Sequence, residues 1–220
     1  SPLAILACSE EPVTGQVTPP VNCTSPTTAT IGAPVRSLIP SWEGNERAQG
    51  QRERALRLVN REFTRRVSER GGDNVPKYRN GRGAIAPYSI GDAWCAAFVT
   101  WAWGKAGFDA FQGASYLQTA HGGDTVAIQV RDLSTWARRN GYWTYRATPG
   151  DLISYEGESH IGMVMQVDRP AGLIRTIEGN RDDRIRWVDV PIDRVSGYIS
   201  PVPIAPYQRV PRSSPRADVD

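Results

Sequence analysis

The hydrophobic pattern of this 220-residue chain changes its period near residue 149, and this change limits the possible folds most strongly. Before it, apolar residues recur at helical spacing over 48–70 and 93–106. After the turn at 149–151, short apolar segments alternate with turn-forming residues, as in antiparallel strands. Helices followed by an antiparallel meander predict an α+β domain.

The same pattern gives the expected elements. The first helix carries Ala55, Val59 and Phe63 on one stripe, and the second has Asp92 as its expected N-cap and Gly107 just beyond its end. Further helical turns are expected within parts of 115–121 and 132–140. The expected sheet has about five strands, at 152–155, 160–167, 173–179, 184–190 and 196–200.

Two segments rich in Pro, Thr and Ser flank this pattern. Residues 9–45 have neither helical nor strand periodicity and predict a disordered tether. Residues 201–220 have a similar composition and predict a disordered tail. One folded domain over 46–200 remains, with no internal repeat and no second domain.

The chain has three cysteines, Cys8, Cys23 and Cys95. The apolar segment 3–7 before Cys8 resembles the end of a signal peptide at a bacterial lipoprotein cleavage site, where Cys8 would be lipidated. A Cys8–Cys23 disulfide and a stray apolar stretch are the alternatives. We therefore expect an exported protein of the periplasm, cell envelope or medium, with membrane anchoring through Cys8 left open.

Charge and histidine content disfavour several function classes. The net charge of +3 is too small to indicate nucleic-acid binding, and no nucleic-acid motif is present. Only two histidines occur, without the His-x-His or His-Glu-x-x-His spacing of zinc enzymes. No Gly-x-Ser-x-Gly motif or phosphate-binding loop is found.

The parts of a cysteine hydrolase are nevertheless present. Cys95 lies at the start of the apolar segment 94–99, directly after the polar segment 89–92. Free amide N–H groups and the dipole at a helix N-terminus favour a thiolate, which is the nucleophilic form. His160 and Glu178 follow on two expected strands and could supply a base and a carboxylate. A cysteine alone could equally be a small buried hydrophobic residue.

Five segments together resemble the CHAP domain, the cysteine- and histidine-dependent amidohydrolase/peptidase module of the NlpC/P60-like, papain-like group. The resemblance covers most of 50–200 and rests on Asn74-Val75-Pro76-Lys77-Tyr78, Trp94-Cys95-Ala96-Ala97-Phe98-Val99, Pro149-Gly150-Asp151-Leu152-Ile153, His160-Ile161-Gly162-Met163-Val164 and Ile177-Glu178-Gly179-Asn180. It implies a papain-like fold with Cys95 as nucleophile and His160 as base. It also implies that Glu178 or Asn180 orients the imidazole, and their shared strand parity leaves both candidates open.

The resemblance further implies hydrolysis of an amide bond in peptidoglycan, by an N-acetylmuramoyl-L-alanine amidase or an endopeptidase. The alternatives are an NlpC/P60-like envelope enzyme acting on another amide or on lipid, and a wall-binding domain without turnover. The backbone N–H of Cys95 is the expected oxyanion donor, with Tyr78 and Tyr88 as further candidates and Trp94 as a possible wall of the cleft. We expect a monomer without cofactor or metal. Calcium is not expected in particular, because the segment 78–92 holds no aspartate except Asp92 that could form a calcium loop.

Overall fold

The structure, a computed structural model, describes residues 46–80 and 83–202. The predicted tether with Cys8 and Cys23 lies outside these residues, as does the predicted tail from residue 203 onward. The predictions for both segments therefore stay predictions.

The first helix, α1, spans Glu46–Thr64 and buries Ala55, Leu56 and Val59 on one side. It ends six residues before the predicted end at Arg70 (70 − 64 = 6). Val67–Ser68 instead forms a short strand, β1, which pairs with β2 at Lys77–Tyr78. The backbone changes direction between the helix and the strand at Arg66, which has a left-handed conformation with φ of 54°. Val67 is apolar because it is buried in β1, and its position matches the helical spacing only by coincidence.

The second helix, α2, spans Cys95–Lys105 and is apolar on nearly all sides. Trp94 is its N-cap residue and makes no side-chain capping bond. The predicted cap at Asp92 is therefore wrong, since its carboxylate accepts from the N–H of the adjacent Ala93. A helix that is hydrophobic all round belongs in a core, and α2 packs against α1 and the main sheet.

A small hairpin precedes the third helix. Strands β3 at Leu117–Thr119 and β4 at Thr125–Ala127 pair with each other, so the helical turns predicted within 115–121 are not found there. The third helix, α3, spans Val130–Asn140 and ends at Gly141, in the left-handed conformation that commonly ends helices.

The main sheet has six antiparallel strands where the sequence predicted about five. In chain order they are β5 (Trp143–Thr144), β6 (Leu152–Tyr155), β7 (Ile161–Asp168), β8 (Leu173–Glu178), β9 (Arg186–Pro191) and β10 (Val195–Ile199). Their spatial order is β5-β10-β6-β7-β8-β9. The additional strand, β5, is two residues long and pairs only with β10, which explains why no alternation revealed it.

The core lies between α2 and the sheet. Its largest fully buried side chains include Phe98 and Trp103 from α2 and Leu152, Met163 and Ile177 from the sheet. Full burial of such a side chain stabilises the fold by about 1.5–3 kcal/mol each, so this layer fixes the helix on the sheet. Within the described residues, no helix is both long and apolar enough to cross a membrane.

A buried ion pair connects α1 to the sheet. Arg52 Nη2 lies 2.7 Å from Asp151 Oδ1, and both side chains are almost completely buried. The same guanidinium donates to the backbone oxygens of Pro149 and Val202 and to the Ser200 hydroxyl. The packing of α1 therefore depends on a polar contact as well as on its apolar stripe.

Candidate active site

The start of α2 and the end of β8 approach each other closely. Gly179, the residue after β8, makes this possible: a Cβ there would lie 2.8 Å from Trp94 and 2.9 Å from Phe98. Real Cβ atoms essentially never pack that tightly, so only glycine permits the approach. As a result, Glu178 at the end of β8 and Cys95 at the start of α2 face one site.

The sheet register places His160 and Glu178 diagonally across two strands. Met163 pairs with Ile177, so Gly162 lies directly opposite Glu178. His160 precedes Gly162 by two residues, so its side chain points to the same face of the sheet and is the diagonal neighbour of Glu178. Gly162 has no side chain, and this leaves room for Glu178 to lean towards His160.

The carboxylate and the imidazole are hydrogen-bonded. His160 Nε2 lies 2.9 Å from Glu178 Oε2. The other oxygen, Oε1, accepts from the Thr176 hydroxyl at 2.7 Å and from the Tyr155 hydroxyl. Burial alone would raise the pKa of Glu178, but the hydrogen bonds from His160, Tyr155 and Thr176 lower it below its usual value. The group therefore remains a carboxylate beside the imidazole.

The imidazole also interacts with the thiol. Burial alone would lower the pKa of His160, but hydrogen bonds and charge interactions with Cys95 and Glu178 outweigh this effect and raise the pKa to about 9. The candidate site therefore consists of His160 hydrogen-bonded to Glu178 and of the nearly buried Cys95, which interacts with the imidazole.

Asn180 does not contact His160 and holds the start of α2 instead. Its backbone is left-handed, with φ of 55°. In the amide orientation that satisfies its neighbours, its nitrogen donates to Glu69 Oε1 at 2.7 Å and its oxygen accepts from the Trp94 backbone N–H at 3.3 Å. Of the two residues that strand parity left open, the structure thus places Glu178 on the imidazole.

The tyrosine hydroxyls considered as oxyanion donors are bound elsewhere. Tyr78 donates to Glu62 Oε2 at 2.6 Å, and Tyr88 donates to the same oxygen at 3.4 Å. Burial and the neighbouring Glu62 carboxylate raise the pKa of Tyr78 to about 12. The single proton of each hydroxyl is therefore directed to Glu62, and the oxyanion role expected for these tyrosines stays a prediction.

Trp94 does not line a cleft either, because it is fully buried. Its ring packs against Tyr88 and Phe98, and its indole N–H donates to Glu69 Oε1 at 3.1 Å. These contacts hold Trp94, the residue before Cys95, in place. The substrate-binding role predicted for Trp94 is therefore replaced by a positioning one.

Sequence reasoning missed three contributors to the site. Thr176 shares the strand face of Glu178, so its parity could have indicated the contact. Gly162 stands two residues after His160 in the quoted motif, but its role depends on the register. Tyr155 comes from β6, and no pattern in the sequence links it to Glu178.

The described residues contain no group of three or more His, Cys, Asp or Glu side chains that could hold a metal ion. The side chains at the candidate site supply a thiol, an imidazole and a carboxylate. This set can form and hydrolyse an acyl-enzyme.

Comparison with known proteins agrees with this chemistry. Residues 87–180 match the family model of the CHAP domain, a segment that includes Cys95, His160 and Glu178. The match confirms the resemblance to a CHAP-type cysteine amidase/peptidase domain. CHAP domains are generally hydrolase domains. No curated protein and no solved structure matches the chain.

Proposed function

With the CHAP-type match of residues 87–180 as the premise, we propose that this chain is a cysteine hydrolase that cleaves an amide bond in peptidoglycan, as an amidase or an endopeptidase. The observation that carries the proposal is the hydrogen bond between His160 and Glu178, together with the interaction of the same imidazole with Cys95. A thiol alone has many roles, but a thiol in contact with a carboxylate-bound imidazole has the geometry of an activated nucleophile.

The proposed reaction has two stages. The Cys95 thiolate attacks the carbonyl carbon of the amide, and the resulting oxyanion collapses as the C–N bond breaks. The His160 imidazolium gives its proton to the leaving nitrogen, which departs as an amine. Neutral His160 then takes a proton from water. The hydroxide attacks the thioester, the C–S bond breaks, and a carboxylate product and the Cys95 thiolate remain.

Glu178 supports both stages without transferring a proton. Its negative charge stabilises the His160 imidazolium, and its hydrogen bond holds the ring so that the other nitrogen faces Cys95. Tyr155 and Thr176 hold the carboxylate in turn. This arrangement presents an oriented acid and base before substrate arrives.

Helix geometry supplies the proposed oxyanion donor. The first N–H groups of a helix have no intrahelical partner. The Trp94 N–H is bound by Asn180, while Cys95, the first residue of α2, has its N–H in the first turn. We assign this N–H to the oxyanion. A helix-borne thiol packed on an antiparallel sheet that carries the histidine also supports a papain-like arrangement.

The experiment compares two pairs of variants on purified peptidoglycan. Cys95→Ala and His160→Ala should each lower the release of wall fragments by several orders of magnitude. His121→Ala removes the other histidine, which is exposed and lies outside the site, and should leave activity unchanged. Mass spectrometry of the fragments identifies the cleaved bond through the new termini.

Unfolding curves provide the folding control, because Cys95→Ala should unfold at nearly the wild-type temperature. Fragment release by a folded Cys95→Ala variant would refute the assignment of the nucleophile. Wall binding by the wild-type protein without any fragment release would indicate a binding domain without turnover.

A further inference from the structure

A cleft of about 720 Å³ is lined by residues other than Cys95, His160 and Glu178. Its walls are the end of β1 with the turn after it (68–71), the strand β2 with the residue after it (77–79), and the β8–β9 loop at 183–184. Ligand sites for small molecules and peptide segments occupy about 300–1,000 Å³. The cleft therefore has the size of a binding site, and the proposed mechanism gives it no role.

Three arginines are among the residues that line this cleft, namely Arg70, Arg79 and Arg184. Among the described residues, no carboxylate forms an ion pair with any of the three. Arg79 Nε donates to the Ser68 hydroxyl at 2.8 Å, and Arg184 Nε donates to a backbone oxygen at 3.1 Å. Each bond uses one donor of a group that has five, so donors remain for a ligand.

The other charges in the cleft do not cancel this excess. Lys77 is paired with Asp73 at 3.0 Å. Glu69 is buried and accepts from the Asn74 backbone N–H and from the Trp94 indole N–H. Asp183 is the remaining acid of the lining and is exposed. The lining thus offers several free cationic donors and one free acceptor.

One residue of the lining, Glu69, is hydrogen-bonded to the residue before Cys95. The Glu69 carboxylate is bonded to the side chain of Trp94, and a single peptide bond joins Trp94 to Cys95. The Glu69 backbone N–H donates to the Asp183 oxygen at 2.8 Å, which joins two walls of the cleft. Arg184 follows Glu178 in the loop that leaves β8. Glu69 and Arg184 therefore connect the lining of the cleft to the segments that carry Cys95 and Glu178.

We propose that this cleft is a subsite for a carboxylate-bearing segment of the peptide substrate, which Arg70, Arg79 and Arg184 hold while the scissile amide reaches Cys95. The inference rests on the proposed function. Planar guanidinium groups match carboxylates with two parallel hydrogen bonds. Asp183 adds an acceptor for an ammonium group, so the cleft suits a peptide with both charges better than a polyphosphate, whose charges are all negative.

The test measures binding in the Cys95→Ala background, so that turnover does not interfere. Calorimetry compares a soluble wall peptide that carries free carboxylates with the same peptide after amidation of those carboxylates. We expect the free acid to bind about tenfold more tightly, which corresponds to about 1.4 kcal/mol. Arg70→Gln combined with Arg184→Gln should remove this preference, and added salt should weaken it.

The matched control is Arg131→Gln, an exposed arginine at the start of α3 away from the cleft, which should keep the full preference. Equal binding of the acid and the amide, no binding of either, or equal loss in Arg131→Gln would each overturn the subsite. Tighter binding of a soluble poly(glycerol phosphate) that displaces the peptide would assign the cleft to phosphate instead.

The outcome is separable from that of the proposed function. Fragment release by the wild-type enzyme tests hydrolysis, whereas the acid-to-amide preference tests the cleft. A preference without hydrolysis would refute the proposed function and retain the subsite. Hydrolysis without a preference would do the reverse.

Discussion

Replacement of Gly162 by alanine should lower the proposed activity about 100-fold, although it replaces none of the side chains of Cys95, His160 and Glu178. A Cβ at this position would lie 2.7 Å from Cγ of Glu178 and 3.2 Å from the Ile177 backbone oxygen. Carbon atoms in contact are normally about 3.5–4.0 Å apart, so the carboxylate side chain must move by roughly 1 Å. Gly162 has no left-handed backbone angle, so alanine adds no backbone strain.

Neither strand can easily relieve the clash. Gly162 pairs with Ile153 of β6 on its other side, so β7 is held between two neighbours. Glu178 is fully buried, and Thr176 and Tyr155 fix its other oxygen. The displacement should therefore lengthen the 2.9 Å contact between the carboxylate and His160. A misplacement of about 1 Å in a catalytic group can lower a rate about 10²-fold, and we expect a loss of that size in kcat.

The assay measures kcat and KM for wall fragments, together with the pH dependence of kcat. The matched control is Gly104→Ala, a substitution within α2 whose new Cβ would have no atom within 4 Å. This control should keep full activity and gain up to about 1 kcal/mol in stability from helix propensity. Gly162→Ala with wild-type kcat and an unshifted pH profile would refute the packing argument that links this glycine to Glu178.

Two further predictions concern the buried pairs His160–Glu178 and Arg52–Asp151. Glu178→Gln should lower kcat by roughly 10²–10⁴, since an amide orients the ring without stabilising its charge. The pKa of His160, raised to about 9 by Cys95 and Glu178, should fall in this variant. The alkaline limb of the pH–rate profile, where the imidazolium loses its proton, should therefore move to lower pH, and an unmoved limb would contradict the role of the carboxylate. Arg52→Met should leave the Asp151 carboxylate buried without its cation and lower the free energy of unfolding by about 3–5 kcal/mol, measured by urea denaturation. A loss below 1 kcal/mol would show that the fold does not need this pair.

The sequence by itself determined the class of fold and the order of its elements. Period-four and alternating patterns are local properties, so they located α1, α2 and the five longer strands to within a few residues. They failed where tertiary pairing overrides a local pattern. Val67 continues the helical stripe but lies in β1, and 117–119 becomes a strand because it finds a partner at 125–127.

The sequence also identified candidate residues for cysteine-hydrolase chemistry. Cys95, His160 and Glu178 could be named because a thiol at a helix start and side chains within short sequence motifs are local signals. The choice between Glu178 and Asn180 could not be made, since both share one strand parity. In the tertiary structure it is Glu178 that hydrogen-bonds His160, while a left-handed turn at Asn180 directs its amide to Glu69 and Trp94.

Other functional features arise only between distant segments. Tyr155 reaches Glu178 from β6, and Gly162 makes room for the carboxylate through the register of β7 and β8. Arg70, Arg79 and Arg184 line one cleft because the β1–β2 hairpin packs beside the β8–β9 loop. A sequence encodes such contacts through the whole fold, so local patterns identify which groups are available, and tertiary packing determines which of them meet.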